Sequence, residues 1–196
     1  KLNVAVNRPQ SIYISLKDKI HKNRLILPFY DNNKIVHYQS RAINPVEHIK
    51  YLSKLNSDKS LFNIDNIKET INVIYVFEGP IDACFVENGI AVAGINEKSK
   101  HLFTHTQQIQ LNRFSTYKKI IVLDSQWKDT TSRAKSKVLI DNGHTVFLWP
   151  KKFGTKFKDF NEMAIAADIK KIPLSLINEN SFSDLKGLIE LSRITG

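Results

Sequence analysis

The hydrophobic pattern changes character once along the chain. Early on, Arg24-Leu25-Ile26-Leu27-Pro28-Phe29 and Ile35-Val36-His37-Tyr38-Gln39 are β-rich runs separated by Asp31-Asn32-Asn33. An Asx-rich break between two such runs predicts a hairpin. Residues 45 to 70 are polar and mixed, which predicts short helical or irregular pieces. From about Asn72 apolar runs and helical spacings alternate. Strand Val73–Phe77 leads into a helix over roughly Ile81–Asn88, with Gly89 as a left-handed cap, then a short strand, Ala91–Ile95. A helix near His105–Phe114, strand Lys119–Leu123 and a helix over about Asp129–Asn142 ending at Gly143 follow. Strand Thr145–Trp149, a basic loop and a helix near Asp159–Ala167 come next. In Ser181–Arg193, Phe182, Leu185, Leu188, Ile189 and Leu191 recur at helical spacing.

Strands alternating with helices predict an α/β fold: a mainly parallel four-stranded sheet flanked by helices, preceded by a small basic α+β lobe. In such sheets ligands bind outside the carboxyl ends of the strands. The 196 residues, 42% apolar, are enough to bury a core. Cys84 is the single cysteine, so the chain holds neither a disulfide nor a four-cysteine zinc site; among Ala83, Phe85 and Val86 it reads as core. No apolar run is long enough to span a bilayer, and no signal-peptide pattern is visible, which predicts a cytoplasmic protein with no membrane partner. The chain begins at Lys1 and has its only methionine at Met163, which predicts a piece of a longer polypeptide.

Charge narrows the choice of partner. The net charge is +10, and residues 1 to 60 carry eleven Lys/Arg against four Asp/Glu. Positive charge concentrated in this way favours polyanions through counterion release, although a merely soluble lysine-rich surface has the same composition.

The chemistry sits at the strand ends. Val76–Ala83 reads VFEGPIDA: a strand ends on Glu78, Gly79 permits close backbone approach, and Pro80 suits a first helical turn. Strand Ile120–Leu123 ends on Asp124, and Asp159 follows strand Thr145–Trp149. Three carboxylates just past buried strands are poor for stability and suited to a divalent cation, with Gln126 able to add an amide oxygen. Plain structural readings stand beside this: Asp124 and Asp159 as helix N-caps, and Asp82 as a complement to its helix dipole. The latter is preferred for Asp82. Lys151, Lys152, Lys156 and Lys158 read as phosphate contacts or as a solvated loop. The histidines at 21, 37, 48, 101, 105 and 144 show no paired metal spacing, and no Ser-His-Asp or Walker arrangement is present.

Together, EGPIDA, LDSQ and KDFNE resemble the topoisomerase–primase (TOPRIM) fold. The upstream series Arg24–Asn33, Gln39-Ser40-Arg41, Lys50-Tyr51-Leu52 and Phe62-Asn63 narrows the resemblance to bacterial and tailed-phage DNA primases, over residues 20 to 165. The resemblance implies an RNA-polymerase core that makes short RNA primers on a single-stranded DNA template from ribonucleoside triphosphates, with Mg²⁺ or Mn²⁺ as cofactor and a replicative helicase as a partner. It implies catalytic acids Glu78, Asp124 and Asp159, the same three with Gln126 as metal ligands, and Arg24, Arg41, Lys50, Lys151 and Lys158 as nucleic-acid or nucleotide contacts. It also implies a basic lobe over 1–70, a TOPRIM domain over 71–170 and a C-terminal helical extension over 171–196. Gln126 stands where many relatives have a second aspartate, and the cysteines of an upstream zinc ribbon are missing from this chain. A TOPRIM nuclease, or a non-catalytic single-strand-binding module with a degenerate metal site, are the alternatives.

Overall fold

The structure is a computed structural model describing residues 1–44, 46–94 and 102–194. The hairpin forms as the sequence predicts. β2 (Arg24–Asp31) and β3 (Lys34–Ala42) pair antiparallel across Asn32 and Asn33, whose φ values of 51° and 60° are those of a two-residue primed turn. Asp65 fastens the turn: its two carboxylate oxygens accept the Asn32 and Asn33 amides at 3.0 and 2.9 Å. β1 (Tyr13–Ser15) and β4 (Tyr51–Ser53) complete a four-stranded meander in the order β1-β2-β3-β4. Each added strand is only three residues long, too short for the sequence pattern to announce it. Among the described residues up to 70 only 3₁₀ turns accompany these strands, so the expected α+β lobe is in fact a β-sheet.

The second sheet has the order β6-β5-β7-β8-β9. β5 (Val73–Phe77), β6 (Gly89–Ala91), β7 (Lys118–Val122) and β8 (Thr145–Phe147) run parallel, and β9 (Ser181–Phe182) is antiparallel to β8. β5, β7 and β8 are where the sequence predicts strands, whereas β6 lies at Gly89–Ala91 and shares only Ala91 with the expected strand Ala91–Ile95; the sheet as a whole is five-stranded and mixed. β9 was hidden because Phe182 continues the helical spacing of α7 (Asp184–Ser192), which starts two residues later than its apolar pattern.

Helices α1 (Pro80–Ala83), α2 (His105–Asn112), α3 (Thr130–Asp141), α4 (Lys151–Gly154), α5 (Phe160–Ala166) and α6 (Leu174–Glu179) complete the described elements. α1 is one turn, much shorter than the expected helix to Asn88. The left-handed residue there is Asn88 (φ 53°), not Gly89, and the Asn88 side chain bonds the backbone of Lys68, Ile71 and Val73. Gly89 instead opens β6, where a Cβ would come within 2.6 Å of the Ala83 carbonyl oxygen. Of the expected strand Ala91–Ile95, Ile95 lies outside the described residues, as does His101.

Strand residues divide the core by parity. Tyr75, Phe77, Ile120, Val122 and Phe147 face one layer, and Ile74, Val76, Ile121 and Val146 the other. Leu27 and Phe29 of the first sheet join the first layer, with Phe29 edge-on to Phe62 at 5.2 Å between ring centroids. The first sheet is thereby held against the carboxyl ends of the second.

Candidate metal centre and cleft

Glu78 and Gly79 follow β5 directly. Pro80, at the first position of α1, fixes the turn that swings Asp82 back over the strand end. Asp124 lies two residues past β7, and Asp159 is the N-cap of α5, where its Oδ1 accepts the Glu162 amide at 2.7 Å. Carboxylate oxygens of Asp82, Asp124 and Asp159 all lie within 4.8 Å of one another. Two of the three expected acids therefore meet, and the third member is Asp82, not Glu78. The dipole reading of Asp82 is corrected accordingly. The signal was the spacing: with Pro80 starting a one-turn helix, position 82 sits above the strand end.

Glu78 stands at the side of this cluster. Lys135 Nζ of α3 approaches its two oxygens at 3.2 and 3.3 Å. Burial, then the charges of Asp159 and Asp124, push the Asp82 carboxyl up to about 7, against the Asn161 amide it accepts at 2.9 Å. Burial also raises Asp124, with Asp159 and Glu78 adding repulsion and Lys158, at 3.5 Å, opposing it. Three partly exposed hard oxygen donors gathered at the floor of a cleft fit a divalent cation that prefers oxygen ligands. Binding would displace the proton from Asp82.

Gln126 is not among these donors. It is 2% exposed, its Oε1 accepts the Trp149 amide at 3.1 Å, and its Nε2 donates to Phe147 O and Ser136 Oγ, both at 3.0 Å. The amide extends the β7–β8 ladder where the strands diverge, so its oxygen is used by the backbone. Asp129 lines the cleft but caps α3 through the Thr131 amide at 2.9 Å.

The acids open into a cleft of about 610 Å³ whose opposite wall is the first sheet, through Gln39, Arg41, Lys50, Tyr51 and Ser53. Arg41 and Tyr51 are cross-strand partners. The guanidinium donates to the Tyr51 hydroxyl at 2.6 Å and lies 4.9 Å from the ring centroid, and burial pushes that phenol up to about 12. Lys158 lines the acid side. Of the other expected basic contacts, Arg24 is 5% exposed and spends its donors on Ser40 Oγ and the Ile49 and Lys50 carbonyls. It braces the segment carrying Lys50 and does not reach the cleft. Lys151 lies outside the cleft, on α4, with Nζ 5.8 Å from the Trp127 ring centroid.

No family profile matches the chain. In sequence it is 29% identical over 150 residues to the DNA primase of Enterobacteria phage T4, an alignment covering 75% of this chain and 40% of that protein. The chain is homologous to a DNA primase. It thus spans less than half the length of that primase relative. Among solved structures, the Aquifex aeolicus primase (zinc-binding and RNA polymerase domains) shares the fold, with a TM-score of 0.56 at 21% identity over 92% of this chain and 46% of that one. The RNA polymerase domain of Mycobacterium tuberculosis primase superposes more loosely, with a TM-score of 0.49 at 20% identity over 83% of this chain and 64% of that one. The primase resemblance drawn from the motifs is upheld by the sequence alignment, which spans 150 residues of this chain.

Proposed function

We propose that the chain is the RNA-polymerase core of a bacterial- or phage-type primase, making short RNA primers on single-stranded DNA by metal-dependent nucleotidyl transfer in a TOPRIM-type site. On this reading residues 1–70 form the basic template and nucleotide lobe, 71–170 the metal-binding domain and 171–196 an extension, and a replicative helicase is the partner in the host cytoplasm. The observation that carries it is the convergence of Asp82, Asp124 and Asp159 on the wall opposite Arg41 and Lys50.

The three aspartates would hold Mg²⁺ or Mn²⁺. When bound, the ion neutralises triphosphate charge and helps align a 3′-hydroxyl with the α-phosphorus. Arg41, held by Tyr51, presents its remaining donors to phosphate oxygens, and Lys50 adds a point charge. Lys158, 3.5 Å from Asp124, offsets that carboxylate and stands on the cleft wall where it would meet a triphosphate. Glu78, paired with Lys135, lines the same cleft and would be a candidate acceptor for the 3′-hydroxyl proton. The test is template-dependent ribonucleotide incorporation with Mg²⁺ or Mn²⁺, in the wild type and in Asp82→Asn and Asp124→Asn. The expected result is activity in the wild type and a loss of at least 100-fold in each variant, the order typical for removing charge stabilisation. Undiminished synthesis by either variant, or nucleic-acid cleavage without nucleotides, sinks the reading.

A further inference from the structure

Lys128, Lys151, Lys152 and Lys156 form a second positive surface beside the cleft and outside its lining. Among the described residues none of the four makes an ion pair, whereas neighbouring Lys158 is paired with Asp124. Like charges gathered without counter-ions oppose one another and the fold, and they attract a polyanion. Between them lie three half-buried rings: Trp127, Phe153 and Phe157, each with a lysine ammonium 5.3 to 5.8 Å from its centroid.

Hydrogen bonds tie this surface to the underlying fold. Ser125 Oγ donates to the Gly154 carbonyl at 2.8 Å, Trp127 Nε1 to Trp149 O at 2.7 Å, and Lys128 Nζ to Lys156 O at 2.9 Å. Gly154 is required for this contact, because a Cβ there would collide with the Trp127 ring and come within 2.9 Å of Ser125 Oγ. The surface runs through Phe157 into Lys158, which lines the acid cleft.

We propose that this face carries a single nucleic-acid strand just outside the catalytic cleft, with phosphates on Lys151, Lys152 and Lys156 and bases stacked on Trp127 and its neighbouring rings. Lysines interleaved with aromatic faces are the chemistry of sequence-tolerant single-strand binding. The inference rests on the polymerase reading for its biological role, and its test is independent of turnover.

The probe is a labelled oligo(dT), titrated at increasing salt, with intrinsic tryptophan emission read in parallel. Trp149 is 2% exposed with its indole N–H on the Leu123 carbonyl, so strand-dependent quenching reports Trp127. The triple variant Lys151→Gln/Lys152→Gln/Lys156→Gln is expected to lower the slope of log K against log salt by about 2, at ~0.7 per lost phosphate contact, and to abolish the quench. These side chains are exposed, so the fold is retained, and Mn²⁺ affinity at the aspartates stays at the wild-type value. An unchanged slope and quench in the variant overturn the proposal. So does wild-type binding without a quench, or equal affinity for duplex DNA of the same length. Absence of Mn²⁺ binding in the wild type strikes the polymerase reading alone, because the strand data still decide this surface.

Discussion

Replacing Asp82 with asparagine is expected to stabilise the metal-free protein and to remove most of its response to Mg²⁺ or Mn²⁺. The carboxyl is raised from 3.8 to about 7, by burial first and then by Asp159 and Asp124. A raised carboxyl means that the folded state holds the proton more tightly than the unfolded chain. Stability therefore increases as pH falls from about 7 towards 4, and the full penalty is present above 7. About three pH units at 1.36 kcal/mol each set a ceiling of roughly 4 kcal/mol, and sharing of the repulsion with Asp159 brings the expected gain to about 2–4 kcal/mol. Asparagine keeps an oxygen for the Asn161 amide, so the cap contact survives. For a chain of this size that gain raises Tm by roughly 5–15 °C. The assay is thermal unfolding at about pH 8 and about pH 5, with and without millimolar Mn²⁺. On lowering the pH the wild type should gain stability relative to Asp82→Asn, since both share the loss that His37 brings, and adding Mn²⁺ should stabilise the wild type far more than the variant. An Asp82→Asn variant no more stable than wild type at pH 8, or one that Mn²⁺ stabilises equally, would refute the argument.

Lys135→Met removes the ammonium beside Glu78 and should tighten Mn²⁺ binding by calorimetry, while Lys135→Arg leaves it near wild type. Weaker binding in Lys135→Met would contradict this. Arg24→Met should cost about 2–4 kcal/mol in denaturant unfolding, because three hydrogen bonds from a buried charged residue are lost. Arg41→Ala, by contrast, should weaken nucleotide binding with a smaller effect on stability; the reverse ranking would refute the roles assigned to them. Burial lowers His37 from 6.5 to about 4, with Lys54 and Lys59 adding to the effect. Its neutral form favours the fold, so stability is expected to fall by up to about 3 kcal/mol as pH drops from 6.5 to 4. His37→Gln should flatten that limb of the pH profile, and an unchanged profile would assign acid sensitivity elsewhere.

The parallel strands were legible because β5, β7 and β8 are short buried runs of branched and aromatic residues ending on turn signals. The hairpin was legible because Asn32 and Asn33 tolerate the left-handed region that the turn needs. What escaped the sequence shares one physical cause: contacts between distant segments. β1 and β4 become strands only by pairing with β2 and β3, and β9 only by meeting β8. Asp82, not Glu78, meets Asp124 and Asp159, while Lys135, 57 positions from Glu78, reaches back to pair with it. Arg24 reads as an available cation until Ser40 and the Ile49 and Lys50 carbonyls enclose it. Gln126 reads as a ligand until the diverging backbones of β7 and β8 claim both ends of its amide.

That amide also restricts how the centre can change. An aspartate at position 126 is shorter by a methylene and has no N–H to give, so the Phe147 carbonyl and the Ser136 hydroxyl would lose a donor just as another negative charge arrived beneath Asp124. Installing a further acid there by a single exchange would loosen the scaffold that aims the existing ones. Any gain in cation capacity at this locus must be accompanied by new donors from α3 or from the segment after β8.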